Sequence, residues 1–175
     1  MLPSCWTETL TRTLSRLTAA VAPNPLRVAV VGLGHPLRGD DAAGSVVAQR
    51  LAVRLPLGGP VLVLDAGPAP ESFTGRLRRH APQLVLLIDA AHLDLAPGTV
   101  RWLPWEETAG LSATTHTLPL HVLARFLTLD LNCEVAVLGL QPADLTLDAP
   151  LSPALAQAVA DVTAALAEAL TSLPV

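Results

Sequence analysis

Short apolar runs alternate with segments of helical periodicity along nearly the whole chain. Residues 26–31, 61–64, 84–88 and 134–140 read as parallel strands buried on both faces. A further run, 99–103, follows the Pro97-Gly98 turn and reads as an edge strand. Between the strands the period lengthens to that of a helix. Residues 42–55 place Val46, Val47, Leu51 and Leu55 on one side, Pro70 opens a helix running to Arg79, and 118–129 form another with Pro119 in its first turn. The last helix, 152–173, is rich in Ala and Leu, with Ser152 as cap and Pro153 at the first position.

This alternation predicts an α/β fold, a three-layer sandwich around a twisted, mostly parallel five-stranded sheet with helices on both faces. Ahead of it, Leu10, Leu14 and Leu17 keep helical spacing until Ala22-Pro-Asn-Pro25 interrupts. Residues 1–25 are therefore expected to be a helical extension, packed on the body or docking a partner. Residues 26–175 are expected to be a single α/β domain, since a chain of 175 residues suffices for one core.

Composition narrows the chemistry more than the fold. Hydrophobic residues make up 51% of the chain and mean hydropathy is +0.48. Even so, Pro, Gly or charge breaks every apolar run below the ~18 residues that span a bilayer, so no membrane association is expected. The first six residues lack the basic start and apolar core of a signal peptide. Cys5 and Cys133 are too far apart for a zinc knuckle or a disulfide framework. The cytoplasm is the expected compartment. A net charge of −4 disfavours nucleic acid. The chain has no Lys and no Tyr, which removes Walker-type phosphate binding, Schiff-base chemistry, Ser-Lys dyads and a tyrosine acid. Asp, Glu, His and Arg remain, a kit for metal or carboxylate work.

Loops at the carboxyl ends of parallel strands share one rim, where ligands bind. Asp41 follows the first predicted strand, Asp65 the second and Asp89 the third, while His116 precedes a helix in the loop before the last strand. Two carboxylates and an imidazole suit a divalent transition ion and leave positions open for water or substrate. Plainer readings exist for each. Asp40 or Asp41 could cap the following helix, Asp65 could hold the turn Asp65-Ala-Gly67, and His116 could be a surface residue. One cap suffices for one helix, so the second carboxylate needs another reason. Asp89 at the end of an apolar strand is costly to bury without a partner. His35 and His92 flank the same rim, His80 ends a helix, and Cys133 reads as a small buried hydrophobe. A dinucleotide loop is excluded, because position 37 is Leu where the third glycine belongs.

Gly32-Leu-Gly-His-Pro-Leu-Arg-Gly-Asp-Asp-Ala-Ala-Gly44 resembles the signature of the [NiFe]-hydrogenase maturation proteases. Asp65-Ala-Gly-Pro-Ala-Pro-Glu71, the stretch from Ile88 to Gly98, Thr115-His-Thr-Leu-Pro-Leu120 and Leu138-Gly-Leu-Gln-Pro142 match the family in the same order, over residues 26 to 170. The later stretches are most similar to the branch that processes formate-hydrogenlyase-type large subunits. The resemblance implies an endopeptidase that removes the C-terminal extension of a hydrogenase large-subunit precursor, cutting one bond just after the cysteine motif. It implies that Asp41, Asp89 and His116 are the metal-facing residues, and that Ni²⁺ arrives with the substrate, with no permanently bound metal. A monomer is expected. How the bond is broken stays open: the ion polarises the carbonyl or activates water, or Asp41 or Asp65 acts as general base. His35 stands where the family has Asn and Ala42 where it often has Gly. The alternative reading is a non-proteolytic metal-sensing or maturation chaperone of the same fold. A peptidyl-tRNA hydrolase, whose opening turn is similar, is disfavoured by the acidic charge and the lack of Lys.

Overall fold

The computed structural model describes residues 5–56, 59–109, 111 and 119–174. Its centre is a five-stranded sheet in the order β2-β1-β3-β5-β4. The strands are β1 (Val28–Leu33), β2 (Val61–Gly67), β3 (Leu84–Ala90), β4 (Val100–Pro104) and β5 (Glu134–Leu140). Four are parallel and start together, Val28 lying beside Val61 and Leu84, and Leu84 beside Glu134. Their carboxyl ends therefore form one rim. Edge strand β4 runs antiparallel to β5.

Alternation along the strands builds two cores. Val28 and Val30, with Leu84, Leu86 and Ile88, face a layer of α1 (Trp6–Val21), α2 (Ala43–Arg54) and α5 (Pro153–Thr171). Ala29, Val31, Val85 and Leu87 face α3 (Thr74–His80) and α4 (Leu120–Leu131). The three-layer sandwich is thus as predicted, and the deviations lie at element ends. β2 and β3 each run past their predicted limits and take Asp65 and Asp89 inside the ladder. A 3₁₀ turn, Gly39–Ala42, precedes α2, and another, Pro70–Phe73, precedes α3. Pro119 is the N-cap of α4 instead of a first-turn residue.

Helix α5 matches its prediction at the start, where the Ser152 hydroxyl accepts from the Leu155 N–H at 3.3 Å. By length and composition it could cross a bilayer, which no single apolar run had suggested. Leu155, Val159, Val162 and Leu166 along it are fully buried in the core shared with α2, so it is a core helix here. Helix α1 contributes Leu10, Leu14 and Leu17 to that same core. Its Arg16 makes a bidentate, solvent-exposed pair with Glu134 at 2.7 and 2.6 Å, a contact screened by water and contributing little to stability. Cys133 is buried, and burial pushes its thiol up to about 11, which makes it inert.

Helix α2 crosses the sheet at very short range. A side chain at Gly44 would run into the backbone carbonyls of Leu33 and Ile88. Backbone cannot rotate away as a side-chain tip can. Gly44→Ala is therefore expected to lower stability by about 1–3 kcal/mol, measured by urea unfolding. An unchanged midpoint would show that α2 can lift off the sheet at no cost.

Candidate active site

The loop after β1 is built for a tight descent into α2. Gly34 has φ of 124°, a conformation open to glycine, and its N–H donates to the Gly67 carbonyl of β2 at 3.1 Å. Next, His35 organises the turn twice. Its N–H donates to Asp41 Oδ2 at 2.7 Å, and its Nδ1 accepts from the Leu37 N–H at 3.2 Å. The second bond is what an Asn side chain makes in an Asx turn. With Nδ1 accepting, the neutral ring carries its proton on Nε2, so neither ring nitrogen of this tautomer offers a lone pair to a metal. His35 thus substitutes for an amide in the turn.

Asp40 and Asp41 are both fully buried. Neither caps α2, whose N-cap is Ala42 with no side-chain bond. Asp40 Oδ2 accepts from the N–H groups of Ala143 and Asp144 and from the Ser152 hydroxyl, and its Oδ1 accepts from the Ser152 N–H. The adjacent Asp41 is turned to the β1 loop by its bond from His35. The 3₁₀ turn carrying both residues lies against β3.

Sheet parity separates the other two carboxylates. Asp89 is fully buried in β3, beside Gly139 of β5, and shares its face with Val85 and Leu87, towards the α3–α4 layer. Asp65 lies on the opposite face, towards α2. Its Oδ1 accepts from the Ser45 hydroxyl and its Oδ2 from Gln49 Nε2 at 2.7 Å, and it is exposed. Nothing in the sequence had marked Ser45 or Gln49. The signal available was their spacing on α2, one turn apart and in line with the end of β2.

His116 lies outside the described residues, as do 112–115, Thr117 and Leu118. Among the described residues no group of three or more His, Cys, Asp or Glu is placed to hold a metal. The segment carrying His116 leaves from Leu111, whose carbonyl accepts from the N–H of His92, itself exposed just after β3. His80 is remote from the rim: its ring bonds the Val28 carbonyl at 3.1 Å, at the opposite end of β1. A groove of about 440 Å³ between α1 and the last turn of α5 also lies at that far end and plays no part in the site.

Residues 46–171 match the family model of hydrogenase maturation proteases. The chain belongs to this family. The hydrogenase 3 maturation protease of Escherichia coli is 37% identical over 111 residues, 63% of this chain and 69% of that protein. The crystal structure of a [NiFe] hydrogenase maturation protease from Thermococcus kodakarensis superposes with a TM-score of 0.78 at 28% identity, over 91% of this chain and 99% of that one. The solution structure of an E. coli endopeptidase of the family gives 0.69 at 29% identity, over 79% and 88%. The maturation protease described here is thus a peptidase of the α/β fold seen in those relatives, with an endopeptidase role in hydrogenase maturation.

Two outcomes follow from the histidines. His35→Asn is expected to keep stability within about 0.5 kcal/mol, because the amide oxygen accepts from Leu37 equally well, whereas His35→Ala should cost about 1 kcal/mol; chemical denaturation of both separates turn former from ligand. Burial depresses the His80 pKa below its ordinary 6.5. The unfolded chain therefore takes up this proton first, so its contribution to stability is complete above pH 6.5 and is lost on acidification towards the folded pKa. His80→Gln should flatten the stability profile between pH 5 and 7, measured by urea unfolding across that range.

Proposed function

We propose that this protease removes the C-terminal extension of a [NiFe]-hydrogenase large-subunit precursor after nickel insertion, sensing substrate-borne Ni²⁺ through Asp41, Asp89 and His116. The observation that carries the reading is the rim itself. Two carboxylates from elements far apart in sequence are fully buried at neighbouring strand ends, Asp41 in a turn lying against β3 and Asp89 inside it. Buried carboxylates favour a cation as partner, and oxygen donors with one imidazole are an apt set for a borderline ion. Asp89 faces the α4 layer, into which the His116 segment leads. The nickel is cargo seated in the precursor and not a resident cofactor, in keeping with a protease that holds only part of a coordination shell.

For the hydrolytic water, Asp65 is the better base. It is exposed, and Ser45 and Gln49 orient both its oxygens, whereas Asp41 is sealed from solvent. Gly34, whose N–H donates to the Gly67 carbonyl, leaves room for the Asp41 backbone to pass directly against the β1 loop. We place the protease in the cytoplasm, as a monomer.

Incubation with nickel-loaded and nickel-free precursor, read by intact mass, tests the reading. Only the nickel-loaded form should lose its extension. Asp41→Asn, Asp89→Asn and His116→Ala should each slow cleavage roughly 100-fold or more, and Asp65→Asn should lower kcat by a similar factor with KM retained. Equal cleavage of both precursor forms sinks the nickel-sensing reading. Cells that carry the three ligand variants and still process the precursor in full would instead favour a chaperone of the same fold.

A further inference from the structure

We propose that Asp40 is a positioning residue, which, through the β5–α5 connector it grips, sets the separation of Asp41 and Asp89 across the rim. The inference rests on the reading of those two carboxylates as nickel-facing. Asp40 is fully buried, and its side-chain bonds run to the connector between β5 and α5. Ala143 N–H reaches its Oδ2 at 2.7 Å, Asp144 N–H at 3.0 Å and the Ser152 hydroxyl at 2.9 Å, while Ser152 N–H reaches Oδ1 at 2.6 Å. Its own N–H returns a bond to the Asp144 carbonyl at 2.8 Å. The turn fits so closely that a side chain at Gly39 (φ 51°) would strike that same carbonyl.

The connector holds the other half of the site at its opposite end. Gln141, directly after β5 and buried, accepts on Oε1 from the N–H groups of Leu93, at 2.7 Å, and Leu95, at 3.4 Å. Its carbonyl also takes the N–H of Gly98 at 2.9 Å. Those residues continue the chain out of β3, four to nine positions beyond Asp89. One segment, 141–152, is thus bonded at its start to the strand exit that carries Asp89 and further along to the residue beside Asp41. A carboxylate is required at position 40 because all four partners donate. An amide would turn an N–H₂ group towards one of them.

The test titrates Cd²⁺ by calorimetry and follows cleavage of nickel-loaded precursor for the wild type, Asp40→Asn, Ser152→Ala and Asp41→Asn. Asp40→Asn is expected to weaken Cd²⁺ binding and lower kcat by about 10–100-fold, with KM retained and the protein still folded by circular dichroism. Ser152→Ala, which removes one donor and keeps the carboxylate, should give a smaller loss of the same kind. It decides the matter if Asp40→Asn does not fold. Wild-type Cd²⁺ affinity and kcat in a folded Asp40→Asn, or in Ser152→Ala alone where the former is unfolded, overturn the positioning role, as does a loss that only follows the folded fraction. Asp41→Asn separates the two levels. If it too binds and cleaves normally, the nickel-facing reading fails; if it alone is impaired, that reading stands and the positioning role falls.

Discussion

Backbone rests directly on backbone where α2 crosses the sheet. A side chain at Gly32 would meet the Gly44 carbonyl, and one at Gly44 would meet the carbonyls of Leu33 and Ile88. Two glycines facing each other let the helix start sink between β1 and β3 at the rim. The chain before it has only the 3₁₀ turn Gly39–Ala42 in which to arrive. Asp40 and Asp41 are therefore delivered to the strand ends by a steric constraint, at the positive end of a helix dipole that favours their charge. The Ala at position 42 is buried beside this seat, and the steric demand for glycine falls on Gly44.

Adjacent carboxylates then take opposite tasks because consecutive residues in the turn point different ways. An ionised carboxylate taken out of water costs several kcal/mol after relaxation, and bonds to a charged acceptor return about 1.5–3 kcal/mol each. Asp40 collects four such bonds and is a structural anion. Asp41 collects a bond from the loop that faces the rim. The same logic distinguishes Asp65, exposed and oriented by two α2 side chains, from Asp89, fully buried on the opposite face of the sheet.

The layers, the burial of the strands and the helix faces were legible because each rests on local periodicity. Element ends were less so. Predicted strands stopped at Asp65 and Asp89 because a charge interrupts an apolar run, yet the ladder continues through both residues. Their opposite facing could have been read from register alone: Asp65 and Ile88 both align with Gly32, so Asp89 is one step out of phase. The capping role expected of Asp40 or Asp41 was displaced by partners more than a hundred positions downstream, which no local pattern reveals. His35 was opaque for a different reason. Its task depends on a ring nitrogen substituting for an amide oxygen, a matter of turn geometry and not of residue class.

The ordering of the chain gives the grip on Asp40 a temporal meaning. Its donors lie 103, 104 and 112 residues further on, the last at the threshold of the final helix. During synthesis the first three strands leave the ribosome long before those groups exist, and contacts of such sequence separation form late. Until then the Asp40 side chain lacks those partners. The grip on Asp40 is thus completed only by residues that follow β5 in the chain.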